Sequence, residues 1–255
     1  MDEIKGKYFK GSIIEKNLNE PNDNEAIRAL MLDPDVDVGI FTFKVRLCDN
    51  ALDRDYEMFS QAALESMQTL FVGRTFIKDH RHLTDNQIAR IYEASVKTEP
   101  TPKDVSLMSG QEYLCLVAKV YMLDTPENAS LIGDIKAGIK KEVSIGFFPK
   151  SAVCSICGTD NMVRMCSHWN GVEYDGKLCY FVFGDVADVY EASFVSVPAQ
   201  RLAGTKKDYT GKEEPPYEEP QKEPSDKEER LKKRLQLAGV FHFMKERNAD
   251  EQENA

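Results

Sequence analysis

GIKKEVSIGFFPK, residues 138–150, alternates Val143, Ile145 and Phe147 with Glu142, Ser144, Gly146 and Phe148. A period of two residues is that of a strand with one face on a core and the other turned away from it. The apolar trio takes the core face, which leaves Ser144 and Gly146 together on the opposite one. A serine held there is either an ordinary strand residue or a nucleophile on a rigid platform. The rest of the chain has to supply a base before the second reading holds.

Working outward, the same period recurs. Residues 39–49, GIFTFKVRLCD, alternate Phe41, Phe43, Val45 and Leu47, and IARIYEASVKTE and EYLCLVAKVYML are further strand candidates, separated by the turn-rich TPKDVSLMSG. TFIKDHRH reads as a short strand running into a loop, and YEASFVSVPAQ as a last strand ended by Pro198. Asp175-Gly176 between two alternating runs predicts a hairpin. Helical spacing appears twice. In DRDYEMFSQAALESMQTLF, Tyr56, Phe59, Ala63, Met67 and Leu70 fall on one face, with Asp53 or Asp55 as cap and Gly73 as stop. TPENASLIGDIKAGI places Thr125 as N-cap and Pro126 at the first helical position. The prediction is an α+β, strand-dominated domain over residues 37–204, preceded by an irregular lead-in at 1–36. An acidic, proline-rich linker follows at 205–224, then a tail helix at 225–247 opened by the Ser225/Glu228 capping pair.

The chain has 255 residues, 42% hydrophobic and 30% charged, enough to bury a good-sized core. Its net charge of -10, with no basic stripe, argues against nucleic acid or an anionic membrane surface as partner. No apolar run reaches the roughly 18–20 residues of a membrane span, and MDEIKGKYFKGSII lacks the apolar segment of a signal peptide. A reducing cytoplasm is therefore expected, where clustered cysteines bind metal rather than each other. CSICGTDNMVRMCSHWNG supplies Cys154 and Cys157 in C-x-x-C spacing, then Cys166 and His168. Two intervening residues let a tight turn aim both sulfurs at one ion, so residues 152–171 are predicted to be an insert holding a structural Zn2+ in a Cys3His shell. Cys179 is the rival fourth ligand. A closed shell of four leaves no position for a catalytic water.

A serine hydroxyl needs a base to take its proton. Of four histidines, His168 belongs to the cysteine cluster and His242 to the tail, which leaves His80 and His82 of the DHRH loop. Asp79, Asp185, Asp188 and Glu191 are all available to orient an imidazole. Residues alone stop at a possible Ser–His pair.

Three segments carry a resemblance further. FIKDH ending at His80, EVSIGF with Ser144, and YEASFVSVPA with Glu191 stand in the order of the motifs of tailed-phage prohead (capsid maturation) proteases. Residues 42–204 resemble that family, and the cysteine insert is similar to one in members from phages and prophages of Gram-positive bacteria. The resemblance implies an assemblin-like β-barrel ringed by helices, the fold of herpesvirus capsid proteases. It implies a serine endopeptidase in which Ser144 attacks, His80 (or His82) is the base and Glu191 the third member, with no cofactor for catalysis. Backbone N–H groups near the turn after the last strand, with Arg201, would serve the oxyanion, and Gly146 would leave room for a substrate backbone. The implied substrates are the scaffold and the scaffolding segment of the major capsid protein, with self-cleavage and self-association inside the prohead, in the host bacterial cytoplasm. The tail helix is expected to dock to scaffold or shell subunits. Two other functions fit the same residues: a head-assembly protein of this fold that does not cut, and a zinc-binding adaptor.

Overall fold

The computed structural model describes residues 21–205 apart from Asp104. Three helices are found there, α1 (Pro21–Arg28), α2 (Gln61–Leu70) and α3 (Ala129–Lys136), with a short 3-10 turn at Thr84–Asn86. The longer strands are β1 (Ile40–Asp49), β3 (Thr75–Lys78), β4 (Ala89–Thr98), β5 (Leu114–Leu123), β6 (Val143–Pro149) and β11 (Val186–Phe194). Short ones are β2 (Glu57–Phe59), β7 (Ala152–Cys154), β8 (Glu173–Tyr174), β9 (Lys177–Leu178), β10 (Phe181–Phe183) and β12 (Gly204–Thr205). The domain is strand-dominated α+β, as the alternation predicts.

Seven strands form one curled sheet in the order β12-β1-β5-β4-β3-β11-β6, antiparallel except for the parallel pair β3–β11. Its two edges meet at one end. Glu142 bridges Gly204, the Thr205 N–H donates to Lys141 O at 2.8 Å, and the Val143 N–H donates to Ala203 O at 3.4 Å. The curl is thereby closed beside Ser144. Inside it lie Phe43, Phe76 and Phe194, with the Phe76–Phe194 centroids 4.8 Å apart. Such offset aromatic contacts add to the area they bury. A second sheet, β2-β10-β7, is joined to the first by Phe147, whose ring stands 5.0 Å from Phe59 and 5.1 Å from Phe183.

Several boundaries differ from the periodic reading, each for a local reason. Residues 21–28, expected to be irregular, form α1 because Ile27 is fully buried in a cluster with Tyr92 and Tyr121, while Asp23 of its first turn pairs with Lys119 Nζ at 2.9 Å. The helix expected to begin at Asp53 or Asp55 begins at Gln61. Residues 57–59 are taken by parallel pairing with β10, and Asp53 Oδ1 instead accepts the N–H groups of Asp55 and Glu57 in a turn. The cap is Ser60, whose hydroxyl accepts from the Ala63 N–H at 3.1 Å and donates to Gly184 O at 2.8 Å. Ser60→Ala is therefore expected to lower stability by about 1 kcal/mol, seen as a shifted urea midpoint at unchanged slope. Thr125 and Pro126 make a turn ahead of α3, whose N-cap is Asn128. The Asp175-Gly176 hairpin forms as expected, with φ of +50° and +74° at the two turn residues. Thr205, assigned to the linker, pairs with Val45 in the sheet. The remainder of the linker, the tail helix and His242 lie outside the described residues.

Candidate functional site

β6 runs antiparallel to β11, and their register assembles the site. Val143, Ile145 and Phe147 face Phe194, Ala192 and Val189 on the core side. On the other side Ser144 stands directly opposite Ser193, and Gly146 opposite Glu191. Directly opposed side chains are near neighbours, with Cβ atoms roughly 5 Å apart. A β-bulge between Val189 and Glu191 makes this arrangement possible. Val189 and Glu191 are two apart, so regular pleating would point both into the core. Tyr190 is the extra residue, half-exposed, and it reverses the facing of everything after it. Glu191 is thus carried to the face of Ser144.

β3 lies on the far side of β11 and delivers His80. Asp79 and His80, just past its end, both adopt left-handed backbone with φ of +56° and +51°. Such geometry costs on the order of 1 kcal/mol or more per non-glycine residue and persists only where surrounding contacts impose it. Those contacts are specific. The Asp79 N–H donates to Phe194 O at 2.9 Å and the His80 N–H to Ser193 Oγ at 3.1 Å. Asn86 braces the loop from its other side, its Nδ2 donating to Lys78 O and Arg81 O at 2.6 and 2.9 Å.

His80 Nδ1 meets Glu191 Oε1 at 2.7 Å, and the Ser193 hydroxyl donates to Glu191 Oε2 at 2.7 Å. Glu191 and Ser193 are fully buried, whereas the His80 side chain keeps 41% of its surface. A carboxylate has no proton of its own to give, so its contact with the ring at Oε1 is assigned with the imidazole as donor. That assignment puts a proton on Nδ1, and in the neutral ring it leaves the Nε2 lone pair free to accept. Of the two loop histidines it is His80, not His82, that the carboxylate holds. No hydrogen bond joins Ser144 to His80 among the described residues; the two share Ser193 as a neighbour.

Gly146 also serves the carboxylate. A Cβ added there would stand 2.6 Å from Glu191 Oε1, so the missing side chain makes room for the carboxylate. The loop carrying Arg201 is tied beside the site: Ala203 O accepts from Val143, the residue before Ser144, and buried Gln200 takes the Asp49 N–H on its Oε1 at 3.1 Å. Arg201 itself is exposed. Ser193, Asn86, Gln200 and the bulge at Tyr190 are parts of the site that the sequence reading did not assign. Only Ser193 carried a signal, its position two residues past Glu191 in the quoted motif.

The cysteine insert forms a separate centre. Cys154 ends β7, and its N–H and C=O close a tight turn with Thr159 O and the Gly158 N–H, both at 2.9 Å, with Gly158 at φ +70°. The Cys166 N–H donates to Asn161 Oδ1 at 2.9 Å, and His168 rests edge-on against Tyr174. The ligand atoms of Cys154, Cys157, Cys166 and His168 all lie within 4.8 Å of one another. Thiolates on one tetrahedral ion stand roughly 3.8 Å apart, so this group could hold a metal ion after a small contraction. His168 Nδ1 is buried with no hydrogen-bond partner, an unmet need that a metal would satisfy. Hydrogen bonding to Thr159 draws the Cys157 thiol down to about 6, toward the thiolate that metals take. Cys179 Sγ is 3.8 Å from Cys154 Sγ, adjacent to the group. None of the six cysteines is in a disulfide.

No helix among the described residues is long and apolar enough to cross a membrane. Compared with protein-family models, curated proteins and solved structures, the chain matches none.

Proposed function

We propose that the chain is a serine endopeptidase that matures phage proheads. The observation that carries this reading is the register of β6 on β11, which sets Ser144 against the Glu191–Ser193–His80 assembly. Ser144 Oγ attacks the peptide carbonyl while His80 Nε2 takes its proton. The same proton then passes to the leaving amine, and water repeats the sequence on the acyl-enzyme. Glu191 holds the Nδ1–H and offsets the charge that develops on the ring. The oxyanion falls to backbone N–H groups of the Arg201 loop, which is stitched to Val143. The curled sheet with helices packed on it is compatible with the assemblin-like barrel that the three motifs suggest. The substrates on this reading are scaffold, the scaffolding segment of the major capsid protein and the chain itself.

The cysteine insert is read as a zinc knuckle, with Cys154, Cys157, Cys166 and His168 as ligands. Bound zinc would staple the turn at Gly158 to the segment carrying Cys166 and His168, a structural task. Elemental analysis of the purified chain is expected to give one zinc per molecule, and Cys154→Ser with Cys157→Ser to abolish it. Less than half an equivalent in the unaltered chain would remove the zinc assignment.

The function is tested by co-expressing the chain with a candidate major capsid protein carrying its scaffolding segment and locating new N-termini by mass spectrometry. Cleaved shell protein and cleaved enzyme are expected with the unaltered chain and neither with Ser144→Ala. Termini that do not depend on Ser144 would sink the proposal.

A further inference from the structure

Ser193 is fully buried, and its hydroxyl makes two hydrogen bonds to the site. Strand pairing already accounts for its backbone; its hydroxyl, however, accepts from the His80 N–H at 3.1 Å and donates to Glu191 Oε2 at 2.7 Å. Together with the 2.7 Å contact between Glu191 Oε1 and His80 Nδ1, these bonds form a closed ring. It runs from the His80 backbone through the Ser193 hydroxyl and the Glu191 carboxylate to the His80 imidazole. Both ends of one residue are thus fixed by a single hydroxyl. The backbone end sits in left-handed conformation, so it needs a tether, and the carboxylate end is buried, so it needs a second donor.

We propose that Ser193 is the positioning residue of this site. It orients Glu191 so that one oxygen is reserved for Nδ1–H, and it pins the loop so that Nε2 is presented to Ser144 across the strand pair. This inference rests on the endopeptidase reading for its catalytic meaning, but the ring of bonds can be observed without it. Replacing the hydroxyl removes a bond to a charged group and a tether for the loop at once. A loss of roughly ten- to a hundredfold in the reactivity of Ser144 is expected.

The test uses the full chain and two readouts. The first is the proton on Nδ1 of His80 in nitrogen-15 histidine-labelled protein, assigned by its absence in His80→Ala. The second is the rate at which an alkyl fluorophosphonate modifies Ser144, a step in which the Oγ–P bond forms, fluoride leaves and the serine proton goes to His80. Ser193→Ala is expected to abolish the slowly exchanging Nδ1–H signal and slow labelling by the stated factor, while Ser193→Thr, which keeps the hydroxyl, restores both. Should the alanine variant fail to fold, Ser193→Cys, near-isosteric but a weak donor, is expected to weaken both readouts. If the alanine variant (or, in its place, the cysteine variant) keeps signal and rate while Ser144→Ala abolishes labelling, the positioning role is overturned and the endopeptidase stands. If the unaltered chain is never labelled, yet Ser193→Ala still removes the Nδ1–H signal, the ring stands and the endopeptidase reading fails.

Discussion

Ser144→Ala and His80→Ala are each expected to slow cleavage by at least about a hundredfold, and the double variant little further. The two residues act in one proton transfer, so removing either disables the other. Alanine at 144 leaves no nucleophile. Alanine at 80 leaves a hydroxyl whose proton has no acceptor, since Glu191 lies buried behind the imidazole. His82 is not expected to substitute, because the Glu191 carboxylate holds His80. Folding should be little affected: Ser144 is only half-buried, and the His80 side chain keeps 41% of its surface exposed. Rates are read from the accumulation of cleaved shell protein on co-expression. Two full-strength single variants would leave the site without a reaction.

Gly146→Ala is expected to cost on the order of a hundredfold, because the new methyl meets the Glu191 carboxylate. Its position, 2.6 Å from Glu191 Oε1, is closer than carbon and oxygen can approach. One of the two must move. The backbone of β6 is fixed by pairing with β11, so the carboxylate gives way, and it is the group that holds the imidazole at 2.7 Å. A displacement of about 1 Å in a catalytic constellation can cost two orders of magnitude. The loss should fall on kcat with KM nearly unchanged, because the substrate still binds. A selective rise in KM would instead point to the substrate path, where the family resemblance puts Gly146.

Much of this was legible in the residues. Alternation at Val143, Ile145 and Phe147 put Ser144 on the far face, and that is where the structure has it. The C-x-x-C spacing with Cys166 and His168 picked out the four donors that converge. What escaped was set by pairing between distant segments. Glu57–Phe59 looked like the first turn of a helix because Phe59, Ala63 and Met67 share helical spacing, yet β10 takes it as a parallel partner. The bulge at Tyr190 is invisible to a two-residue period, since it breaks the period in order to turn Glu191 away from the core. The left-handed backbone at Asp79 and His80 likewise has no composition signal; it is imposed by Phe194 O and Ser193 Oγ from another strand. Local pattern fixed which residues were available, and tertiary register decided which of them meet.

The central claim is that Ser144 is a nucleophile activated by His80. It is tested most directly by treating the full-length chain with an alkyl fluorophosphonate and mapping the adduct by peptide mass spectrometry. One adduct per chain is predicted, on the peptide containing Ser144, and its formation is predicted to fall at least about a hundredfold in His80→Ala. An adduct on another residue, or labelling of Ser144 that is indifferent to His80, would contradict the account.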